Sequence, residues 1–179
     1  MKPILFVIAP KDFRDEELFV TKEELERLGF STCISSLEAT ECSGSKGGTI
    51  KATIKLEDVK SNNYDALVFV GGSGSRIYFD LESAHRLIKE FIQSGKTVAA
   101  ICIAPMILAK AGILEGKRVS VFNSELETIE SLGAHYTGMD VTIDGNIITA
   151  YGPQSALRFG RKIAEHLHVL AVADHTSGI

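Results

Sequence analysis

Cys102 closes a short apolar run, Thr97-Val98-Ala99-Ala100-Ile101, and directly precedes a helix-like stretch from Ala104 to Ala111. This puts a thiol at a sharp strand-to-helix turn, beside the first free N–H groups of a helix. Such a position carries positive partial charge, which draws a cysteine toward thiolate. With serine, the same construction is the nucleophile elbow of hydrolases. The competing reading is a small buried apolar residue, because free cysteines are among the most buried side chains.

Two further features could serve such a thiol. Gly71-Gly72-Ser73-Gly74-Ser75 matches neither G-x-x-x-x-G-K-S/T nor G-x-G-x-x-G: it lacks a lysine, and the next helix starts several residues later. A nest of backbone N–H groups beside the cysteine fits better. In that reading the Gly72 and Ile103 N–H groups form an oxyanion hole for a tetrahedral intermediate or a sulfur oxyacid, whereas the plain alternative is a turn between strand and helix. Glu17 lies roughly 60° from the centre of its helix's apolar stripe, while Asp15, Glu16, Glu23 and Glu26 point away from it. A carboxylate at the edge of a buried face costs free energy unless it is paired or protonated. Protonated beside a thiolate, Glu17 would donate a hydrogen bond to sulfur and later move a proton. A solvated acid at a helix start is the plainer alternative.

The elements that must position these groups follow from hydrophobic pattern. Ile4 to Ala9 is a continuous run suited to a strand buried on both faces. Asp15 to Leu28 reads as a helix with Leu18, Thr21, Leu25 and Leu28 on one stripe and Gly29 as its stop. Phe30 to Ser35 is a second strand, and the alternating Thr49 to Ile54 reads as a half-exposed excursion at the sheet edge. Ala66 to Val70 is a third buried strand, followed by a helix from Leu81 to Gln93. After the Cys102 turn come a strand from Arg118 to Val121 and a hairpin, Val141 to Ile143 and Ile147 to Ala150, around Asp144-Gly145-Asn146. A helix from Gln154 to Leu167 closes residues 1–173, and 174–179 read as a frayed tail. Strands alternating with helices imply one doubly wound, mostly parallel α/β domain with helices on both faces, flavodoxin-like in class. In such a sheet ligands bind at the carboxyl ends of strands, where all three features above fall.

Composition narrows the function classes. With 179 residues, 45% hydrophobic and 23% charged, the chain has ordinary globular composition. A net charge of −4 without a basic cluster lacks the footprint of a nucleic-acid binder. No apolar run approaches membrane-spanning length, so no membrane partner is expected. Cys33, Cys42 and Cys102 form no CxxC and are odd in number, which fits a reduced, cytoplasmic setting. No cofactor or metal motif is present; His166 and His168 are two apart on a helix and face different ways.

Ala99-Ala100-Ile101-Cys102-Ile103-Ala104-Pro105, Gly71-Gly72, Asp15-Glu16-Glu17-Leu18 and Tyr151-Gly152-Pro153 together resemble the ThiJ/PfpI superfamily in order and spacing over nearly the whole chain. The similarity is greatest to the parkinsonism-associated branch and its bacterial relatives, in which A-x-C-x-x-P precedes an aliphatic helix. The resemblance implies that Cys102 is the reactive cysteine, Glu17 the acid that hydrogen-bonds it, and Gly72 and Ile103 the backbone donors. It also implies a homodimer or higher oligomer. The activities it brings are glutathione-independent glyoxalase, deglycase, peptidase, chaperone and oxidative-stress sensor. Two departures matter: Ile103 stands where peptidase-like members carry histidine after the cysteine, and Phe122 stands at the position of the other usual histidine.

These departures order the functions. A redox-responsive protein, with Cys102 oxidised to a sulfinate held by Glu17 and the two backbone donors, needs no histidine. A glyoxalase or deglycase acting on 2-oxoaldehydes through a Cys102 hemithioacetal is the alternative, slowed by the missing acid–base group. Amide hydrolysis requires a Cys–His pair and ranks last. The expected partners are accordingly small carbonyl compounds or oxidants. Bulk from Tyr78, Phe79 or Phe122 beside the elbow would restrict the site to small molecules.

Overall fold

The computed structural model describes residues 1–176, with side chains as far as 173. The strands are β1 (Ile4–Val7), β2 (Lys11–Phe13), β3 (Thr32–Ser36), β4 (Glu41–Gly44), β5 (Thr49–Lys51), β6 (Ile54–Lys55) and β7 (Ala66–Phe69). They continue with β8 (Thr97–Ile101), β9 (Arg118–Val119), β10 (His135–Tyr136), β11 (Val141–Asp144) and β12 (Ile147–Ala150). The α-helices are α1 (Asp15–Arg27), α2 (Glu82–Gln93), α3 (Pro105–Lys110), α4 (Leu126–Ser131) and α5 (Ala156–Thr176).

Seven strands form the central sheet in the order β11-β12-β8-β7-β1-β3-β6. All neighbours are parallel except the β11–β12 hairpin. Every residue of β1, β7 and β8 is buried, as their unbroken apolar runs demand of strands covered on both faces. Two helix pairs, α1 with α5 and α2 with α3, supply that cover. The α1–α5 seam is close because Gly160 has no side chain: a Cβ there would stand 3.1 Å from the Thr21 carbonyl oxygen.

The chain leaves β1 toward β3 and later returns to lay down β7 on the other side. Strand order therefore reverses between β1 and β7, which is where a doubly wound sheet opens a crevice at its carboxyl edge.

The sequence reading differs from the structure in several places. Thr49 to Ile54 is not an edge excursion of the main sheet. Thr49–Lys51 joins a separate three-stranded sheet, β2-β4-β5, and only Ile54–Lys55 reaches the main edge. The pairing partners lie far apart in sequence, and β2 and β4 are too short to show a period. The Arg118 strand is likewise outside the central sheet, paired with β10. Helix α5 runs to Thr176 rather than ending near Leu167; fraying beyond it falls on residues outside those described. Among the described residues no helix is long and apolar enough to cross a membrane.

Candidate active site

Cys102 is the first residue past β8, and its φ of +64° is one of two positive values among the described non-glycine residues. That conformation costs an L-residue roughly 1–2 kcal/mol, so the surroundings must hold it. They do so on both sides: Cys102 N–H donates to Ala150 O at 3.0 Å, and Phe122 N–H donates to Cys102 O at 2.9 Å. The strand therefore turns sharply with the thiol at its apex, and Pro105 starts α3 with its fixed φ. Cys102 is 8% exposed, and its side chain lines a cavity of about 560 Å³. A thiol on a cavity wall at a strained turn is not a core filler.

Gly71 and Gly72 bring the end of β7 against this turn. Gly72 has a φ of +92°, and a Cβ there would fall 2.4 Å from Asp12 O and 2.5 Å from Arg14 N. At Gly71 a Cβ would meet Glu17 Oε2, Cys102 Cβ and the Ile101 carbonyl, all within 2.8 Å. The glycines thus mark close approach of three backbones, and Arg14 N–H donates to Gly71 O at 3.1 Å. The backbone N–H groups of Gly72 and Ile103 both favour the anionic form of the Cys102 sulfur.

Glu17, from the first turn of α1, is fully buried, so it is not a solvated helix-start acid. Its Oε2 accepts from Gly71 N–H at 2.8 Å, and Oε1 is buried without a partner. The carboxyl and the Cys102 thiol do not complete a hydrogen bond of good geometry, yet each shifts the other's titration. Burial pushes Glu17 up to about 7, against the opposing pull of Cys102, the Gly71 N–H and the Arg14 charge.

Burial, and then the charge of Glu17, push the Cys102 thiol well above its ordinary value despite the two backbone donors. The expectation of an unassisted low-pKa thiolate is therefore corrected. Helix α3 has only six residues and begins with a proline that has no N–H, so it offers little dipole. What the site provides instead is a thiol beside a buried carboxyl group that can accept its proton. When that proton sits on Glu17, the sulfur is a thiolate held by Gly72 and Ile103.

A model of the DJ-1/PfpI family matches residues 2–166. The chain belongs to this family. An uncharacterized protein of Methanocaldococcus jannaschii is 41% identical over 163 residues, 89% of this chain and 80% of that protein. A glutathione-independent glyoxalase of Caenorhabditis elegans is 31% identical over 168 residues, 93% of this chain and 89% of the relative. Among solved structures, a ThiJ/PfpI domain protein from Brachyspira murdochii superposes with a TM-score of 0.92 at 32% identity, covering 94% of this chain and 99% of that one. The flavodoxin-like arrangement of the sheet agrees with these neighbours.

The DJ-1/PfpI site of this chain is built without histidine among the described residues. His85 Nε2 lies 2.8 Å from Phe79 O, His166 faces Asn146, His168 packs on Phe30, and His135 is exposed on β10. None lines the cavity, and the side chain of His175 lies outside the described residues. Phe122 does line it and packs against Tyr151. Tyr78 does not: its hydroxyl donates to Ile8 O inside the core, and Phe79 lies under Arg76. No group of three or more His, Cys, Asp or Glu among the described residues could hold a metal.

Three features were not anticipated. Arg14 and Arg76 both line the cavity; each stands in a loop at a strand's carboxyl end, and a basic residue in that place was the available signal. Asp15, expected to face solvent, is buried at the start of α1 and accepts from Lys46 N–H at 2.7 Å and Gly48 N–H at 2.6 Å. It ties the β4–β5 turn to the segment that carries Arg14 and Glu17. Glu24, one residue past the expected outward Glu23, is buried too.

Proposed function

We propose that this protein is a reactive-cysteine enzyme for small 2-oxoaldehydes, working through Cys102 and a single carboxyl group, Glu17. The observation that carries the reading is the fully buried, half-partnered Glu17 facing a thiol at the wall of a cavity far larger than an oxidised sulfur needs.

The chemistry follows from the shared proton. The Cys102 thiolate attacks the aldehyde carbon, and the developing oxyanion takes the proton of Glu17, giving a hemithioacetal. The resulting Glu17 carboxylate removes the hydrogen from that carbon, and the electron pair moves to form an enediolate, in which the neighbouring oxygen takes the proton of the first hydroxyl. Glu17 returns its proton to the adjacent carbon while the first oxygen, now deprotonated, collapses to a thioester carbonyl. Water then cleaves the thioester, releasing a 2-hydroxy acid and restoring the thiol. The Gly72 and Ile103 N–H groups favour an anionic sulfur and so support the thiolate that begins the cycle. One carboxyl group handles every transfer at carbon, so histidine is not required. The kinship with a glyoxalase named as glutathione-independent supports this class.

Lactate formation from methylglyoxal tests the proposal. The wild type turns over and Cys102→Ser does not; a stoichiometric adduct without lactate would refute enzymatic action.

A second reading, oxidation of Cys102 to a sulfinate in an oxidant response, is favoured by the unpartnered Glu17 Oε1 and the two N–H groups at sulfur. The thiolate would displace water from one peroxide to give the sulfenic acid, and a second peroxide would give the sulfinate. Mass spectrometry after peroxide treatment should then find two added oxygens at Cys102 ahead of Cys33 and Cys42. Equal oxidation of all three would sink it.

A further inference from the structure

We infer that the cavity selects substrates carrying a carboxylate remote from the aldehyde, with Arg14 and Arg76 as the specificity-determining pair. This deepens the aldehyde reading above and rests on it. Arg14 is the last residue before α1, and Arg76 lies in the 3₁₀ turn Ser73–Tyr78 that follows β7. The two loops meet over the same cavity, and Arg14 and Arg76 both line it together with Cys102.

Each guanidinium is braced from behind. Arg14 Nε and Nη2 donate to Glu16 at 2.8 and 3.2 Å, and Arg76 Nη2 donates to Glu125. Arg76 also stands over the Phe79 ring, 5.3 Å from its centroid. Neither Glu16 nor Glu125 lines the cavity. A guanidinium carries five N–H donors in a fixed fork, and these contacts use only some of the donors of each group. Ser73 and Ser124 also line the wall, the Ser124 hydroxyl donating to Glu125 Oε1 at 3.0 Å. Among the described residues, Glu17 is the acidic side chain on the wall.

The bracing carboxylates also limit how much negative charge the pair takes. Two arginines facing two glutamates leave directed donors rather than a large positive field, which suits the planar, singly charged carboxylate better than a dianion. The substrate class is therefore a short ω-carboxy-2-oxoaldehyde, whose product would be a 2-hydroxy dicarboxylic acid.

Two matched pairs test this separately from the parent reading. For turnover, 4,5-dioxopentanoate is compared with 2-oxopentanal, in which a methyl group replaces the carboxylate. The wild type should prefer the anionic aldehyde by about 10-fold or more in kcat/KM, and the preference should fall toward one in Arg14→Met and Arg76→Met, with Arg→Lys variants between. For binding without turnover, Cys102 is alkylated with iodoacetate and with iodoacetamide; sulfur forms a bond to the methylene carbon and iodide leaves. The iodoacetate-to-iodoacetamide rate ratio at Cys102 should drop about 10-fold in the arginine variants. If neither aldehyde is turned over, the enzyme proposal fails while the alkylation ratio still decides the anion site. A ratio unmoved by either substitution, in variants with wild-type circular dichroism, overturns the inference.

Discussion

Glu17 and Glu24 lie about two turns apart on α1, and both are withdrawn from solvent, at 0% and 5% exposure. Their surroundings are opposite. Glu24 accepts from Arg27 through both oxygens and from Arg161 Nε, all at 2.8 Å, and these partners hold its carboxyl down to about 2. Glu17 has one amide N–H on Oε2 and nothing on Oε1, and burial lifts it to about 7. The first carboxylate is compensated and fastens α1 to α5. The second is left uncompensated beside a thiol, so it keeps a proton that it can give up near neutral pH. A buried acid with no ion-pair partner, on a cavity wall beside a thiol, is a candidate functional group.

That contrast can be broken from either side. Removing the carboxyl of Glu17 should have the largest effect. In Glu17→Gln, turnover of a 2-oxoaldehyde is expected to fall by about 10²- to 10⁴-fold, while alkylation of Cys102 by iodoacetamide persists. Equal loss of both would mean that Glu17 only shapes the pocket.

The same substitution should stabilise the fold at alkaline pH. The folded pKa is raised from 4.5 to about 7, so the folded state keeps its proton while the unfolded state loses it. The stability linked to Glu17 is therefore fully present below about 4.5 and is lost as pH rises through about 7. Glu17→Gln should flatten this dependence and, at pH 8, gain on the order of 2–3 kcal/mol in urea unfolding.

Glu24→Gln should do the reverse. Its folded pKa is lowered, so the stability it confers is present above about 4.5 and lost as pH falls toward 2. The variant should melt below the wild type at pH 7 and converge with it near pH 2. Arg161→Met should lower Tm less than Glu24→Gln, because Arg27 still holds the carboxylate and the Arg161 side chain is half exposed.

The positions of the elbow, the glycine turn and the buried acid were legible in the sequence because each follows a continuous apolar strand, and strand ends in such a sheet converge by topology. The apolar stripe of α1 was enough to separate Glu17 from Glu16. It did not separate Glu24 from its neighbours, because what buries Glu24 is Arg161 on α5, a partner 137 residues away. The β2-β4-β5 sheet was hidden for the same reason: β2 pairs with β4 across the whole of α1 and β3. Arg14 and Arg76 were hidden because where their long side chains go depends on Glu16, Glu125 and Phe79, and not on spacing. The strand-to-helix turn suggested a depressed thiol pKa, but the sequence gives no measure of how deeply Cys102 is buried or how close Glu17 stands.

The central claim is that Glu17 is a buried, uncompensated acid beside Cys102 that titrates near 7. It is tested most directly by following the Glu17 carboxyl with carbon-13 NMR from pH 3 to pH 9, using Glu17→Gln to assign the resonance. The account predicts a midpoint close to 7, far from the value near 2 expected for Glu24 in the same spectra. A Glu17 midpoint near the ordinary 4.5 would contradict it, because the carboxyl would then be ionised at neutral pH, with no proton for the developing oxyanion and with its charge opposing the thiolate.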